Sequence, residues 1–246
     1  MTIKKRCLLW DWTNTQGCPQ AIDNVNFEGP ISSIANWNTW CPPELKDRSS
    51  FRPHVRTEDQ LKGEEWTRVE NTDQPIIHYF NEPERAGISP ERAAEAWKTH
   101  MLPLREKGKQ LVSPSCASDP NGQDWTHRFM ELVKDTPPDY LGLHWYGTDG
   151  NEMIKYLEQF HERYPKLPIV VSEFASVHRN KMDVWGLTIQ LVNWLDEQEW
   201  IFEYALFGCM MKPADDFVSP AAQLMDEKGG FTELMVKYMD QQPMQW

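Results

Sequence analysis

Short runs rich in β-branched and aromatic residues alternate along this chain with longer stretches whose apolar positions recur at helical spacing. That alternation predicts a parallel sheet joined by crossover helices. Eight strands are expected, over residues 6–12, 31–37, 51–56, 75–80, 110–113, 140–146, 168–174 and 201–207. The third is the weakest, because Pro53 interrupts it. The seventh is the most apolar, as a strand buried on both faces should be. Ser89 caps a helix with Pro90 at its first position, running towards Gly108. Further helices are expected over 124–134, 152–164, 183–198 and 231–239. The one over 183–198 carries Val184, Leu187, Leu191, Val192 and Leu195 on one face.

Eight strands with crossover helices, the first two helices short or degenerate, predict an α/β fold: a single (β/α)8 TIM barrel occupying residues 1–246 as one domain. An open doubly wound sheet is the competing architecture, but it would announce a glycine-rich phosphate loop after its first strand. The chain has Trp10-Asp11-Trp12-Thr13-Asn14 there. Repeats and long linkers are missing, so a second domain is not expected.

Composition narrows the function classes. The profile, 40% hydrophobic and 25% charged, is that of a globular chain, and no apolar run approaches the ~20 residues of a membrane span. Lys4, Lys5 and Arg6 precede too few apolar residues before Asp11 to make a secretory leader. A cytoplasmic location is expected, or an extracellular one if a leader has been removed. A net charge of −12 with scattered Lys and Arg argues against nucleic acid as a partner. Five cysteines without a CxxC pair argue against zinc. Free buried thiols are expected, with a Cys18–Cys41 bridge as the alternative. Asn-x-Ser/Thr sequons are missing too, which favours an intracellular protein. A monomer needing neither metal nor cofactor is the expectation. The 12 Trp change the picture most, since indole faces suit the C–H faces of sugars, although about half should be core.

In a barrel the catalytic groups lie at the C-terminal ends of strands. The fourth predicted strand ends in Asn81-Glu82-Pro83-Glu84, the sixth in His144-Trp145-Tyr146 and the seventh in Ser172-Glu173-Phe174. Carboxylates at the fourth and seventh ends face each other across the mouth. Glycoside hydrolysis needs such a pair, about 5–5.5 Å apart for retention or about 6.5–9.5 Å for inversion. Glu84, beyond Pro83, is expected to be a rim or helix-start charge.

His78-Tyr79-Phe80-Asn81-Glu82-Pro83 and Val170-Val171-Ser172-Glu173-Phe174 resemble the motifs of the retaining glycosidases of clan A. With Ser113-Pro114 and His144-Trp145-Tyr146-Gly147, the chain resembles glycoside hydrolase family 128, fungal and bacterial β-1,3-glucanases, over nearly its whole length. The resemblance implies Glu82 as acid/base, Glu173 as nucleophile, Asn81 as a partner of the sugar 2-hydroxyl, and β-1,3-glucan or laminarioligosaccharides as ligands. The acid role would ask for a raised Glu82 pKa in the free enzyme. Tyr146 could donate to Glu173, and His144 could orient a carboxylate or a sugar hydroxyl. Trp10, Trp12, Trp37 and Trp145 are candidate sugar platforms, with a core role the alternative for each. Two departures stand out: Ala205-Leu206-Phe207-Gly208 lacks the Trp common at the end of strand eight, and the third strand is unusually charged. They leave open a protein that binds gluco-oligosaccharides on a hydrolase scaffold with weak or no turnover. Another barrel hydrolase, such as a β-mannanase or β-1,4-glucanase, also remains open.

Overall fold

The structure is a computed structural model and describes residues 2–213 and 216–246. Its strands are β1 (Arg6–Trp10), β2 (Ile31–Ala35), β3 (Ser50–Arg52), β4 (His54–Val55), β5 (Ile76–Asn81), β6 (Gln110–Ser115), β7 (Leu141–Gly147), β8 (Ile169–Ser176) and β9 (Ile201–Cys209). All pair in parallel, in the orders β3-β2-β1-β9-β8-β7 and β4-β5-β6. β3 and β4 are one stave interrupted at Pro53, whose missing N–H breaks the ladder, while its carbonyl still accepts from His78 N at 2.9 Å. Between β6 and β7 the ring is joined by Ser113 N–H to Tyr140 O at 3.0 Å and His144 N–H to Cys116 O at 3.3 Å. The result is a (β/α)8 barrel.

The helices are α1 (Trp12–Gly17), α2 (Gly63–Glu70), α3 (Pro90–Ala96), α4 (Pro103–Glu106), α5 (Pro120–Leu132), α6 (Gly150–Arg163), α7 (Lys181–Glu197) and α8 (Glu233–Asp240). The early crossovers are indeed poor in helix: α1 is six residues long, and β2 is followed by a single 3-10 turn, Pro43–Leu45. α5 starts four residues before the expected 124 because Asp119 caps it, accepting from Gly122 N, with Pro120 next. The helix opened by Ser89 is not continuous. Pro103 has no N–H to offer, and the chain passes through a wide turn, Leu102 N–H to Trp97 O, before α4. All eight residues of β8 are buried, in keeping with its apolar sequence.

The barrel interior is polar where a hydrocarbon filling would be ordinary. Arg52 makes a two-pronged contact with Glu203, at 3.1 and 2.8 Å, and Ser33 donates to the same carboxylate at 2.6 Å. His54 and His78 lie beside them, buried, with ring centroids 5.5 Å apart. Within the third predicted strand Arg52 and His54 are thus directed into the barrel, and Arg56, beyond β4, is exposed. Burial keeps both imidazoles neutral, lowering His78 to about 4 and His54 well below its ordinary value. All five cysteines are free thiols, and Cys18 lies 3.8 Å from the Met225 sulfur with no bridge to Cys41.

Glu203→Gln leaves the buried Arg52 guanidinium without its counter-charge, at an expected cost of about 3–5 kcal/mol in chemical denaturation. A loss below roughly 1 kcal/mol, the scale of a surface pair, would contradict the structural weight given to this contact.

Candidate active site

β5 delivers Glu82 to the mouth. The strand ends at Asn81, because Pro83 cannot donate to the ladder, and Glu82 N–H is held by Ser115 O at 2.8 Å. Glu82 carries a φ of +42°, an uncommon value outside glycine that costs on the order of 1–3 kcal/mol unless its surroundings fix it. β8 delivers Glu173, paired in register with His144 of β7 beside an irregularity between Leu143 and His144. Such bulges re-aim side chains next to functional sites.

The imidazole of His144 has no solvent exposure and lies between the two carboxylates. Nδ1 is 3.1 Å from Glu82 Oε1, and Nε2 is 3.7 Å from Glu173 Oε1. Glu173 is buried and receives two further donors, Trp37 Nε1–H on Oε1 and Tyr146 O–H on Oε2, both at 2.6 Å. Glu82 is more open, and Arg85 Nε approaches its Oε2 at 3.5 Å. The Oδ1 of Asn81, buried next to Glu82, has no hydrogen-bond partner.

The charges follow from this geometry. Burial pulls His144 down, but Glu173, the hydrogen bond to Glu82, and the charges of Glu82 and Glu84 outweigh it and raise the pKa above 6.5. Burial pushes Glu82 up, yet the His144 hydrogen bond, the His144 charge and Arg85 together hold it below the ordinary carboxylate value. The raised free-enzyme pKa expected of an acid/base Glu82 is therefore not seen. Of the two groups in contact, His144 is the one whose surroundings favour holding a proton, and Glu82 the one whose surroundings favour losing it.

The remaining sequence candidates separate by strand alternation. His144 and Tyr146 face the mouth, whereas Trp145 points to the other face and is buried in the core against Gly147. Trp10 is fully buried, with Nε1 directed at Glu44 Oε1 at 3.3 Å, so it too is core and offers sugar no face. Trp12 is 40% exposed against the edge of Trp40 and lines none of the spaces around Glu82 or Glu173. Trp37 reaches the site through its N–H on the nucleophile candidate. Where a strand-eight Trp was missed, Phe207 stands, its ring 5.8 Å from Trp37 and 5.9 Å from Tyr146, while Leu206 is buried.

Two adjoining spaces meet at Glu82. One, about 160 Å3, is lined by both glutamates, Tyr146, Phe207, Pro213 and Phe217 among others. The other, about 420 Å3, is lined by Glu82, Arg85, Ser118, Asp119, Tyr146 and Phe217. Arg85, Asp119 and Phe217 carried no sequence signal, being loop residues brought in by tertiary contacts. Among the described residues no cluster of His, Cys, Asp and Glu could hold a metal ion, and no helix is long and apolar enough to cross a membrane.

Nitrogen-detected NMR of the imidazoles should show His144 doubly protonated at pH 6.5, while His54 and His78 are neutral. A neutral His144 at that pH would contradict the charge assignment.

A family model described as glycosyl hydrolase catalytic core matches residues 10–238. The crystal structure of a family 128, subgroup VI, exo-β-1,3-glucanase from Aureobasidium namibiae is 57% identical over all of both chains, with a TM-score of 0.99. A subgroup IV endo-β-1,3-glucanase from Lentinula edodes is 24% identical over 94% of this chain and 98% of its own, with a TM-score of 0.81, a likeness of fold. Alkali-sensitive linkage protein 1 of Schizosaccharomyces pombe is 28% identical over 168 residues, 63% of this chain and 31% of that protein's length. With the barrel, the glutamate pair and these matches in place, the chain belongs to the glycosyl hydrolase catalytic-core family and, within it, to glycoside hydrolase family 128.

Proposed function

We propose that this protein is an exo-acting, retaining β-1,3-glucanase in which Glu82 is the general acid/base and Glu173 the nucleophile. The observation that carries the reading is the pair of strand-end carboxylates bridged by one buried imidazole. Linkage and exo action are supported by the relative that is 57% identical and is itself an exo-β-1,3-glucanase. The shape agrees with short occupancy. The space holding both glutamates, about 160 Å3, is smaller than an ordinary ligand pocket of roughly 300–1,000 Å3, whereas the space reached by Glu82 alone is larger.

In the first step a carboxylate oxygen of Glu173 attacks the anomeric carbon while the glycosidic C–O bond breaks. Trp37 and Tyr146 donate to the two oxygens of Glu173 and fix the orientation of the nucleophile. The departing oxygen takes a proton from Glu82, which draws it from His144 Nδ1 across the 3.1 Å contact. Glu82 and His144 thus share one proton, and its loss belongs to the pair, not to either group. In the second step Glu82 takes a proton from water, the water oxygen attacks the anomeric carbon, the ester to Glu173 breaks, and the proton returns to the pair. In this reading Asn81, whose Oδ1 is unpartnered, accepts from the sugar 2-hydroxyl, and Phe207 supplies the apolar wall.

Incubation with laminarin or laminaripentaose should release new reducing ends. Measurable binding without products would leave a glucan-binding protein instead. Glu82→Gln and Glu173→Gln should each lower turnover by about 100-fold or more while the fold stays intact. Activity within about tenfold of the parent in either variant would remove that residue from its role. The alkaline limb of kcat/KM should lie above pH 6.5, because the shared proton is held by the raised His144. His144→Gln should move that limb to lower pH, and an unmoved limb would show that His144 does not store the proton.

A further inference from the structure

Glu84 was expected on the rim, yet its side chain is only 2% exposed. Its Oε1 accepts the backbone N–H of Ala117 at 2.9 Å, across from the loop after β5 to the loop after β6. Its Oε2 is buried without a hydrogen-bond partner. The segment it braces is the one that holds Glu82, since Ser115 O, two residues before Ala117, receives the Glu82 N–H at 2.8 Å. On the other side Glu82 O accepts from Arg85 N at 3.0 Å and Ala86 N at 3.2 Å. Arg85 and Asp119 span the same two loops at 3.0 Å, but both are half exposed, where an ion pair adds little. The buried brace is Glu84, and what it braces is the backbone bearing the positive φ of Glu82.

We propose that Glu84 is a positioning residue that keeps Glu82 aimed at the glycosidic oxygen by tying the loops after β5 and β6 together. The assignment rests on Glu82 being the acid/base. Its effect is specific: a misaimed acid slows departure of a sugar alcohol, which needs the proton, and barely slows departure of a dinitrophenolate, which does not.

The test compares kcat/KM for laminaritriose and for dinitrophenyl β-laminaribioside in Glu84→Ala, Glu84→Gln and, in parallel, Glu82→Ala. Glu84→Ala should lose about 10–100-fold on laminaritriose and less than about threefold on the activated glycoside, the scale of a misplacement near 1 Å. Glu84→Gln keeps an acceptor for Ala117 N–H and should stay within about threefold of the parent on both. Should the alanine variant not fold, Glu84→Asp, one methylene too short to reach Ala117, serves the same comparison. Equal losses on both substrates, or no loss on laminaritriose, would overturn the proposal. If Glu82→Ala shows the leaving-group selectivity and Glu84→Ala does not, only the Glu84 assignment fails. If Glu82→Ala lacks the selectivity, the acid/base reading fails and takes the Glu84 assignment with it.

Discussion

The site depends on one imidazole with no access to water, set between two carboxylates. Three histidines are buried in or above this barrel, and burial alone would make all of them neutral. His54 and His78 follow that rule. His144 departs from it because Glu82 and Glu173 approach its two nitrogens from opposite sides. The same contact runs in reverse on Glu82, whose carboxylate is held ionised by its neighbour although burial favours the protonated form. On the proposed reading the acid is thus left without its proton in the resting site, and the proton waits one hydrogen bond away. On the same reading, a sugar that removes water from the mouth would weaken the charged arrangement relative to the neutral one and favour the transfer.

The barrel earns this arrangement through register. β7 and β8 place His144 opposite Glu173, just after a register irregularity between Leu143 and His144. β5 stops at Asn81 because of Pro83, and Glu82 takes a strained backbone that the neighbouring loop secures. Trp37 comes from the far side of the ring and completes the donors on Glu173. Below them Arg52, Glu203 and Ser33 tie β3, β9 and β2 together inside the barrel, so the floor under the site is held by charge as well as by packing.

Much of this was legible in the sequence. All eight staves fell within a few residues of the expected ranges, because runs buried on both faces read as continuous apolar stretches. Pro53 marked the break between β3 and β4. Alternation along β7 separates Tyr146 and His144 from Trp145, so the strand pattern itself assigns Trp145 to the core and not to the sugar platforms. Other features could not be read. Nothing local tells that Trp10, at the end of β1, is sealed in the core while Trp37, just past β2, brings its N–H to Glu173. Glu84 looked like a rim charge because the loop that covers it is 33 residues away in sequence, at Ala117. The direction of the Glu82 pKa is not legible in the sequence for the same reason: it is set by His144, a neighbour on another strand.

Double displacement through Glu173 is distinguished from single displacement by the stereochemistry at the anomeric carbon. Proton NMR followed from the first seconds of laminarioligosaccharide hydrolysis reads the anomeric configuration of the newly released reducing sugar before mutarotation. A β-anomer formed first is the predicted result, as attack by Glu173 followed by attack of water from the opposite face requires. An α-anomer formed first would mean single displacement by water, and would remove Glu173 from the role of nucleophile.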